Sequence, residues 1–203
     1  MIEFRQARSG DIRSVVRIHR QAFGGFFLTK LGPGFLAKYY RLVLERPDGI
    51  LIVAVNDRDV AGFVAGFSSP AGFYSEMKKR KLSFALVSIP ALLRSPGLMR
   101  RLLLDFREVK NNADPGPVQE PGRGELSSIG VAPCWSGHGV GRGLLAAFIA
   151  RAGELGLNAI TLTTDADGNN AVNEFYRKAG FCLSRTFTQG DQRRMNEYRT
   201  NIP

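Results

Sequence analysis

A chain of 203 residues is long enough for one domain with a sizeable core, and 44% hydrophobic with 23% charged residues is ordinary for a soluble globular protein. No run approaches the roughly 20 apolar residues that span a bilayer. The start, Met1–Phe4, lacks the pattern of a secretion signal, so we expect a cytoplasmic protein. The net charge of +10 leaves nucleic acid, anionic membranes and phosphorylated small molecules open as partners.

The cysteines and histidines argue against a metal site. Cys134 and Cys182 are the only cysteines, and His19 and His138 are the only histidines. No short spacing pairs them, so a Cys/His site would have to gather all four from distant parts of the chain. We therefore predict no metal and two reduced thiols.

The N-terminal third alternates strand and helix patterns. Ile2 and Phe4 alternate with polar residues as in a strand, and Ser9-Gly10-Asp11 offers a cap for the helix that follows. Two apolar runs around the turn at residues 56–59 predict a hairpin. The predicted elements are strand Ile2–Ala7, helices Asp11–Ala22 and Phe35–Glu45, and strands Ile50–Val55 and Val60–Phe67.

Residues 71–123 fit no sheet and are interpreted as a basic insert between strands three and four. Two short amphipathic helices are predicted within it, Phe84–Leu93 and Leu98–Phe106, followed by a loop rich in proline and glycine. The insert holds ten positive and five negative side chains, so it carries half of the net charge.

Strand and helix patterns return after the insert, and the whole order predicts a single mixed α/β domain over residues 1–203. Gly156 and Gly180 are expected to end two of the helices. The predicted elements are strand Glu125–Val131, helix Gly139–Leu155, strand Ala159–Thr164, helix Asn169–Ala179 and a final hairpin of Phe181–Thr188 with Arg194–Thr200.

A glycine-rich loop joins the fourth strand to its helix. Glycines at positions 137, 139, 141 and 143 let backbone N–H groups converge, and the helix adds the positive end of its dipole. Such a loop suits a pyrophosphate. No Gly-Lys pair is present for a P-loop, and Arg142 and Leu144 stand where a dinucleotide fingerprint needs its last glycine.

This loop resembles the pyrophosphate loop of the GNAT superfamily (GCN5-related N-acetyltransferases), whose pattern is [QR]-x-x-G-x-[GA] after a strand ending in V-x-P. Val131-Ala132-Pro133 supplies the strand end, and Ser136 to Gly141 occupy the loop, with Ser136 departing from the family's Gln or Arg. The later segment Asn169–Phe181 is similar to the family's N-x-x-A-x-x-x-Y-x-x-x-G-F, with Val172 in place of Ala. Two motifs in the right order are far more specific than either alone.

The resemblance implies a GNAT fold, a mixed and mostly antiparallel sheet flanked by helices, and acetyl-CoA as co-substrate. It implies that strands Glu125–Val131 and Ala159–Thr164 splay apart to admit the pantetheine arm, and that Tyr176 protonates the leaving thiolate. Glu125 is the candidate base, with Asp165 and Asp167 as rivals. The implied acetyl-CoA-binding residues are Ile129, Gly130, Val131, Ser136, Gly137, His138, Gly139, Val140, Gly141, Arg142 and Asn169.

The sequence does not identify the acceptor of the acetyl group. The expected activity is acetyl transfer to a primary amine, on an anionic small molecule such as an amino sugar or a nucleotide-linked amino sugar. A protein N-terminus or lysine, and a non-catalytic acyl-CoA-binding module, remain alternatives. The insert is expected on the acceptor side, where its charges face solvent, attract an anionic acceptor or contact anionic lipid. No basic and aromatic stripe is visible, so no nucleic-acid partner is expected, and monomer and homodimer remain open.

Overall fold

A single seven-stranded sheet forms the centre of the protein. The computed structural model describes residues 1–57, 59–94, 121–189 and 193–202. The strands are β1 (Ile2–Gln6), β2 (Gly49–Asn56), β3 (Asp59–Phe67), β4 (Arg123–Val131), β5 (Ala159–Asp165), β6 (Cys182–Gln189) and β7 (Arg193–Asn201). The helices are α1 (Ile12–Ala22), α2 (Phe27–Lys30), α3 (Pro33–Glu45), α4 (Pro70–Lys79), α5 (Lys81–Arg94), α6 (Val140–Glu154) and α7 (Asn170–Lys178).

The strand order is β1-β2-β3-β4-β5-β7-β6. β4 and β5 run parallel, whereas the other neighbouring strands described are antiparallel. The predicted mixed, mostly antiparallel sheet is therefore confirmed. A parallel pair needs a crossover connection, and α6 provides it between β4 and β5.

Helices cover both faces of the sheet and create two buried clusters. On one face, α1 and α3 bury Ile18, Leu36 and Tyr40 against Phe63 and Phe67. On the other face, α6 packs Leu144 and Phe148 over β2, β3 and β4. The apolar positions of α1 and α6 recur at helical spacing, so each helix presents one apolar side to the sheet.

Two helices were not predicted from the sequence. α4 begins at Pro70, and the hydroxyl of Ser69 accepts a hydrogen bond from the N–H of Gly72 at 3.3 Å. Ser69-Pro70 is therefore a helix start, with a capping serine and proline in the first turn, rather than only the end of the hairpin. α2 is a single turn that carries no periodic signal. The predicted helix at Phe84–Leu93 is confirmed as part of α5, and the predicted Leu98–Phe106 lies outside the described residues.

Within the described ranges, no helix is both long enough and apolar enough to cross a membrane.

Candidate active site

β4 and β5 separate after a short stretch of pairing. Their parallel contact comprises three pairs, from Arg123–Ala159 to Glu125–Thr161, although β4 continues to Val131 and β5 to Asp165. Because the strands diverge, the edge of β4 that faces β5 has no partner strand beyond Glu125 in the part of the chain that the structure describes. The splay that the family resemblance implied is present, and Glu125 lies at its apex.

A cavity of about 780 Å³ opens where the two strands diverge. Its walls come from β4, from the glycine-rich loop, from β5 with α7, and from phenylalanine side chains in α2 and in the turn between α1 and α2. The lining residues include 126–131, Trp135, Ser136, Gly137, 139–142, Thr163, Thr164, Asn169, Val172, Phe175, Tyr176, Phe23, Phe26 and Phe27. A cavity of this size, mostly apolar with a few polar groups, is typical of a small-molecule site.

β4 carries a bulge beside the cavity. Ala65 of β3 lies opposite Ser128 and Gly66 lies opposite Leu126, so Ser127 has no counterpart on β3. The bulge fits closely, because a Cβ on Gly66 would come within 2.1 Å of the carbonyl oxygen of Glu125. Bulges of this kind redirect side chains and are frequent next to active sites.

Two consecutive tyrosines of α3 hold this bulge. The hydroxyl of Tyr39 donates to Ser127 Oγ at 3.1 Å, and the hydroxyl of Tyr40 lies 3.0 Å from Ser128 Oγ. Burial raises the pKa of both phenols, so both remain neutral. Tyr40 also contacts Nδ1 of the buried His19, whose Nε2 has no hydrogen-bond partner among the described residues.

The glycine-rich loop turns the chain from β4 into α6 through left-handed backbone conformations. Gly137 has φ 79° and Gly139 has φ 76°, values that favour glycine. Within the described chain, the N–H groups of Gly139, Val140, Gly141 and Arg142 make no backbone hydrogen bond. These orphan donors at a helix N-terminus form a site for an anion.

α7 is fixed to the sheet by a fully bonded amide. Asn173 is 2% exposed, and its Nδ2 donates to the carbonyl oxygens of Asp165 at 2.9 Å and Asn169 at 2.8 Å. Its Oδ1 accepts from Asn196 and from Tyr198, each at 2.9 Å. Because no polar atom of this buried amide is left unpaired, α7 is held in one position relative to β5 and β7.

Comparison with known proteins now identifies the family. The model of the acetyltransferase (GNAT) family matches residues 13–181. The chain belongs to this family. The splayed strands and the glycine-rich loop are therefore the corresponding parts of a GNAT domain.

Sequence and structural relatives agree with the GNAT assignment. A mycothiol acetyltransferase of Pseudarthrobacter chlorophenolicus is 46% identical over 61 residues, which are 30% of this chain and 19% of that protein. The matched stretches thus span about a fifth of the length of the first curated relatives. A GNAT-family structure from Desulfovibrio desulfuricans aligns over 100% of both chains with a TM-score of 0.67 and 18% identity. An acetyltransferase from Salmonella typhimurium, solved with acetyl-CoA, covers 100% of this chain and 94% of its own with a TM-score of 0.60 and 15% identity. At these identities the two structures show the fold alone.

Tyr176 of the second GNAT motif reaches the cavity. It is 5% exposed, it lines the cavity, and its hydroxyl makes no hydrogen bond within the described chain. Its ring packs near Phe175, Phe181 and Tyr198. Burial raises the pKa of this phenol, so it carries its proton at neutral pH. The ring thus packs α7 onto the sheet, and its protonated hydroxyl belongs to the cavity wall.

Glu125 lies on the sheet face that carries α3 and α4, just outside the cavity wall. Its Oε1 accepts a hydrogen bond from the hydroxyl of Tyr74 on α4 at 2.8 Å. Burial raises the pKa of this carboxyl, the bond from Tyr74 opposes that rise, and the nearby charge of Glu197 adds to it. A carboxylate with a raised pKa is a better proton acceptor at neutral pH than a solvated one.

The two rival carboxylates are engaged elsewhere. Arg193 donates to both carboxylate oxygens of Asp165, from Nε to Oδ1 and from Nη2 to Oδ2, the latter at 2.7 Å. Asp167 is exposed and pairs with Arg194 at 3.1 Å. Each of these carboxylates therefore has a cationic partner, whereas Glu125 accepts a hydrogen bond from the neutral Tyr74.

Ten of the eleven residues implied to bind acetyl-CoA line the cavity, and His138 is the exception. The His138 ring is exposed, with Nδ1 at 2.9 Å from the carbonyl oxygen of Ser136. The backbone N–H of His138 is directed to the carbonyl oxygen of Trp135. Within the described ranges, no group of three or more His, Cys, Asp or Glu side chains could hold a metal ion.

Sequence reasoning missed the aromatic wall and the partner of Glu125. Phe23, Phe26 and Phe27 form one side of the cavity. Five phenylalanines, including these three, occur from residue 4 to residue 35. This high density was the sequence feature that could have indicated an aromatic wall. Tyr74 gave none, because it belongs to a helix that was not predicted.

Proposed function

We propose that this protein transfers the acetyl group of acetyl-CoA to the primary amine of an amino sugar or a nucleotide-linked amino sugar. The observation that carries the proposal is the splay of β4 from β5. It opens a cavity with orphan N–H groups at one end and Tyr176 in its wall, and Glu125 lies just outside that wall at the last pair of the two strands.

Acetyl-CoA as donor is supported by the fit of its parts to this cavity. The free N–H groups at residues 139–142 suit the diphosphate. The unpaired edge of β4 beyond Glu125 offers backbone groups to the amide-containing pantetheine arm, near Ile129 and Val131. Asn169 lines the opposite side and is oriented by a 2.7 Å bond from its Nδ2 to Thr164 Oγ1.

In the proposed reaction the amine attacks the thioester directly. The nitrogen forms a bond with the carbonyl carbon, and the carbon–sulfur bond breaks with its electron pair on sulfur. Tyr176 donates its proton to that sulfur, and Glu125 receives the proton that the nitrogen loses, directly or through a water. An N–H of the unpaired β4 edge would stabilise the oxyanion of the tetrahedral intermediate.

A base is needed because the acceptor amine is protonated at neutral pH. Deprotonating an amine of pKa about 10.4 costs roughly 4.6 kcal/mol at pH 7, whereas an amine of pKa about 8 costs roughly 1.4 kcal/mol. The carboxylate of Glu125 would favour binding of the ammonium form, and its raised pKa suits it to accept the proton.

An amino-sugar acceptor is supported by the polar groups around the cavity. Ser127, Ser128 and Thr163 line it with neutral hydroxyls that suit a hydroxylated acceptor. The curated relatives are named for mycothiol and not for a protein acceptor.

A panel of amines tests the proposal. Purified protein and acetyl-CoA are mixed with amino sugars, nucleotide-linked amino sugars, peptides with a free N-terminus and lysine peptides, and thiol release is followed with mass spectrometry of the products. We expect the fastest turnover with an amino-sugar compound. Turnover with peptides alone would contradict the acceptor class, and calorimetric binding of acetyl-CoA without any turnover would indicate a non-catalytic module.

A further inference from the structure

α5 presents an apolar stripe to solvent. Leu82, Leu86, Ile89 and Leu93 are exposed to 75%, 65%, 44% and 77%. Their spacing of four, three and four residues places them along one side of the helix. Single exposed apolar side chains are common, but four in one line on one helix form a continuous surface.

The opposite side of α5 already packs against the protein. Phe84 is 5% exposed and its ring lies 5.1 Å from that of Phe35 on α3, and Ser88 is 4% exposed. Val87 approaches Gly34 at the start of α3. α5 is therefore apolar on two sides, one packed against the core and one exposed as the stripe. A helix of this kind usually contacts an apolar environment on its second side as well.

A basic cluster, Lys78–Lys81, lies at the start of the stripe, where α4 ends and α5 begins. All four side chains are exposed, and Lys78 and Lys81 form no ion pair within the described chain. The sequence contains no acidic residue between positions 77 and 94. The surface therefore combines exposed leucines with an unbalanced positive charge.

We propose that this surface docks on an anionic lipid bilayer, with the stripe inserted at the headgroup boundary and the basic cluster on the lipid phosphates. Burial of the apolar side chains in the bilayer favours binding, and each lysine near an anionic surface strengthens binding about fivefold. The charge argues against an uncharged apolar partner. The stripe itself contains no aromatic side chain on which a nucleic-acid base could stack. The proposal does not depend on the acetyl acceptor.

Vesicle flotation with the full chain tests the proposal. The probes are vesicles of phosphatidylcholine and vesicles in which about a third of the lipid is phosphatidylglycerol. We expect flotation with the anionic vesicles only, weakened by salt. Replacing two leucines (Leu86→Gln with Leu93→Gln) should weaken binding by about tenfold or more for each leucine. Replacing two lysines (Lys78→Gln with Lys81→Gln) should weaken it by about 30-fold.

A matched control separates the stripe from leucine exposure in general. Leu183 on β6 is 52% exposed and lies outside α5, so Leu183→Gln should float like the unchanged protein. Because all the substituted side chains are exposed, circular dichroism spectra should be unchanged. The proposal is overturned if anionic vesicles do not bind the protein, or if Leu86→Gln with Leu93→Gln binds as well as Leu183→Gln. Sedimentation showing that the stripe joins two copies of the chain would overturn it as well.

Discussion

His19 Nδ1 lies 2.6 Å from the hydroxyl oxygen of Tyr40, and that oxygen in turn lies 3.0 Å from Ser128 Oγ on the bulge of β4. The histidine is 3% exposed, stacks near Phe23 and Phe63, and lines the cavity. Burial lowers its pKa to about 4, so the ring is neutral at physiological pH. A neutral imidazole, a phenol and a serine hydroxyl thus connect α1, α3 and β4 behind the cavity.

The first prediction concerns stability in acid. The unfolded chain binds a proton on His19 below pH 6.5, whereas the folded chain does so only near pH 4. The contribution of His19 to the unfolding free energy is therefore fully present above pH 6.5. It is lost as the pH falls from 6.5 to 4, because only the unfolded chain takes up the proton in this range. We expect this group to remove about 2.5 kcal/mol of unfolding free energy between pH 7.5 and pH 4.5.

Urea unfolding of the unchanged protein and of His19→Gln at both pH values measures this contribution of His19 to the unfolding free energy. Glutamine does not titrate, so the variant should lose less stability on acidification, although it starts from a lower value at pH 7.5. The other titrating groups are common to both proteins and cancel in the comparison. An equal loss in the two proteins would show that His19 has the same pKa in the folded and unfolded states, which would contradict the lowered folded-state value.

The second prediction concerns the hydrogen bond from Tyr74 to Glu125. This bond stabilises the charged form of Glu125 and so lowers its pKa, whereas burial raises that pKa. Tyr74→Phe removes the bond, so the pKa of Glu125 should rise further. If Glu125 is the base, kcat/KM increases as pH passes through its pKa, and the acid limb of the profile should move to higher pH in the variant. Glu125→Gln should lower kcat/KM by about 100-fold or more.

Tyr39→Phe is the matched control for Tyr74→Phe. It also removes a phenol hydroxyl that donates a hydrogen bond to β4, but the bond that it loses goes to Ser127 and not to Glu125. The control should lose stability without a comparable displacement of the acid limb. Identical pH profiles for Tyr74→Phe and the unchanged protein would remove Glu125 from the role of base.

Local patterns in the sequence predicted most of the fold. Strands β2 and β3 were visible because both are continuous apolar runs on either side of a polar turn. α6 and α7 were visible because glycine ends each of them, at Gly156 and Gly180, and both glycines have a positive φ. The resemblance then identified the cavity residues of the glycine-rich loop, since that site is built from one continuous segment.

The rest of the site depends on contacts between distant positions, which no local pattern reports. Tyr39 and Tyr40 meet Ser127 and Ser128 across 88 positions, and Tyr74 meets Glu125 across 51. In the sequence, the position of His19 indicates only another core residue of α1. Its unpartnered nitrogen is evident only once α3 and β4 are packed around it.

The third prediction uses two glycines at opposite ends of the α6 segment. Gly139 has φ 76° before the helix and Gly156 has φ 74° after it, and a Cβ on either would meet no atom within 4 Å. Alanine at either position should therefore cost about 1 to 2 kcal/mol through backbone strain alone. Only Gly139→Ala should also weaken acetyl-CoA binding, because it disturbs the orphan N–H groups at the helix start. Calorimetry with acetyl-CoA and urea unfolding measure the two effects, and equal affinities in the two variants would count against the glycine-rich loop as the diphosphate site.

The fourth prediction separates chemistry from packing at Tyr176. Tyr176→Phe keeps the ring beside Phe181 but removes the proton that the leaving thiolate would receive. We expect kcat to fall by about 100-fold or more with the Kd for acetyl-CoA unchanged. Tyr198→Phe is the matched control, because Tyr198 is fully buried in the same cluster and its hydroxyl bonds to Asn173 at 2.9 Å. It should lose about 1 kcal/mol of stability and keep most of its turnover. Similar turnover in the two variants, in a stopped assay of thiol release, would mean that the Tyr176 hydroxyl takes no part in the reaction and that its ring serves only to pack α7 on the sheet.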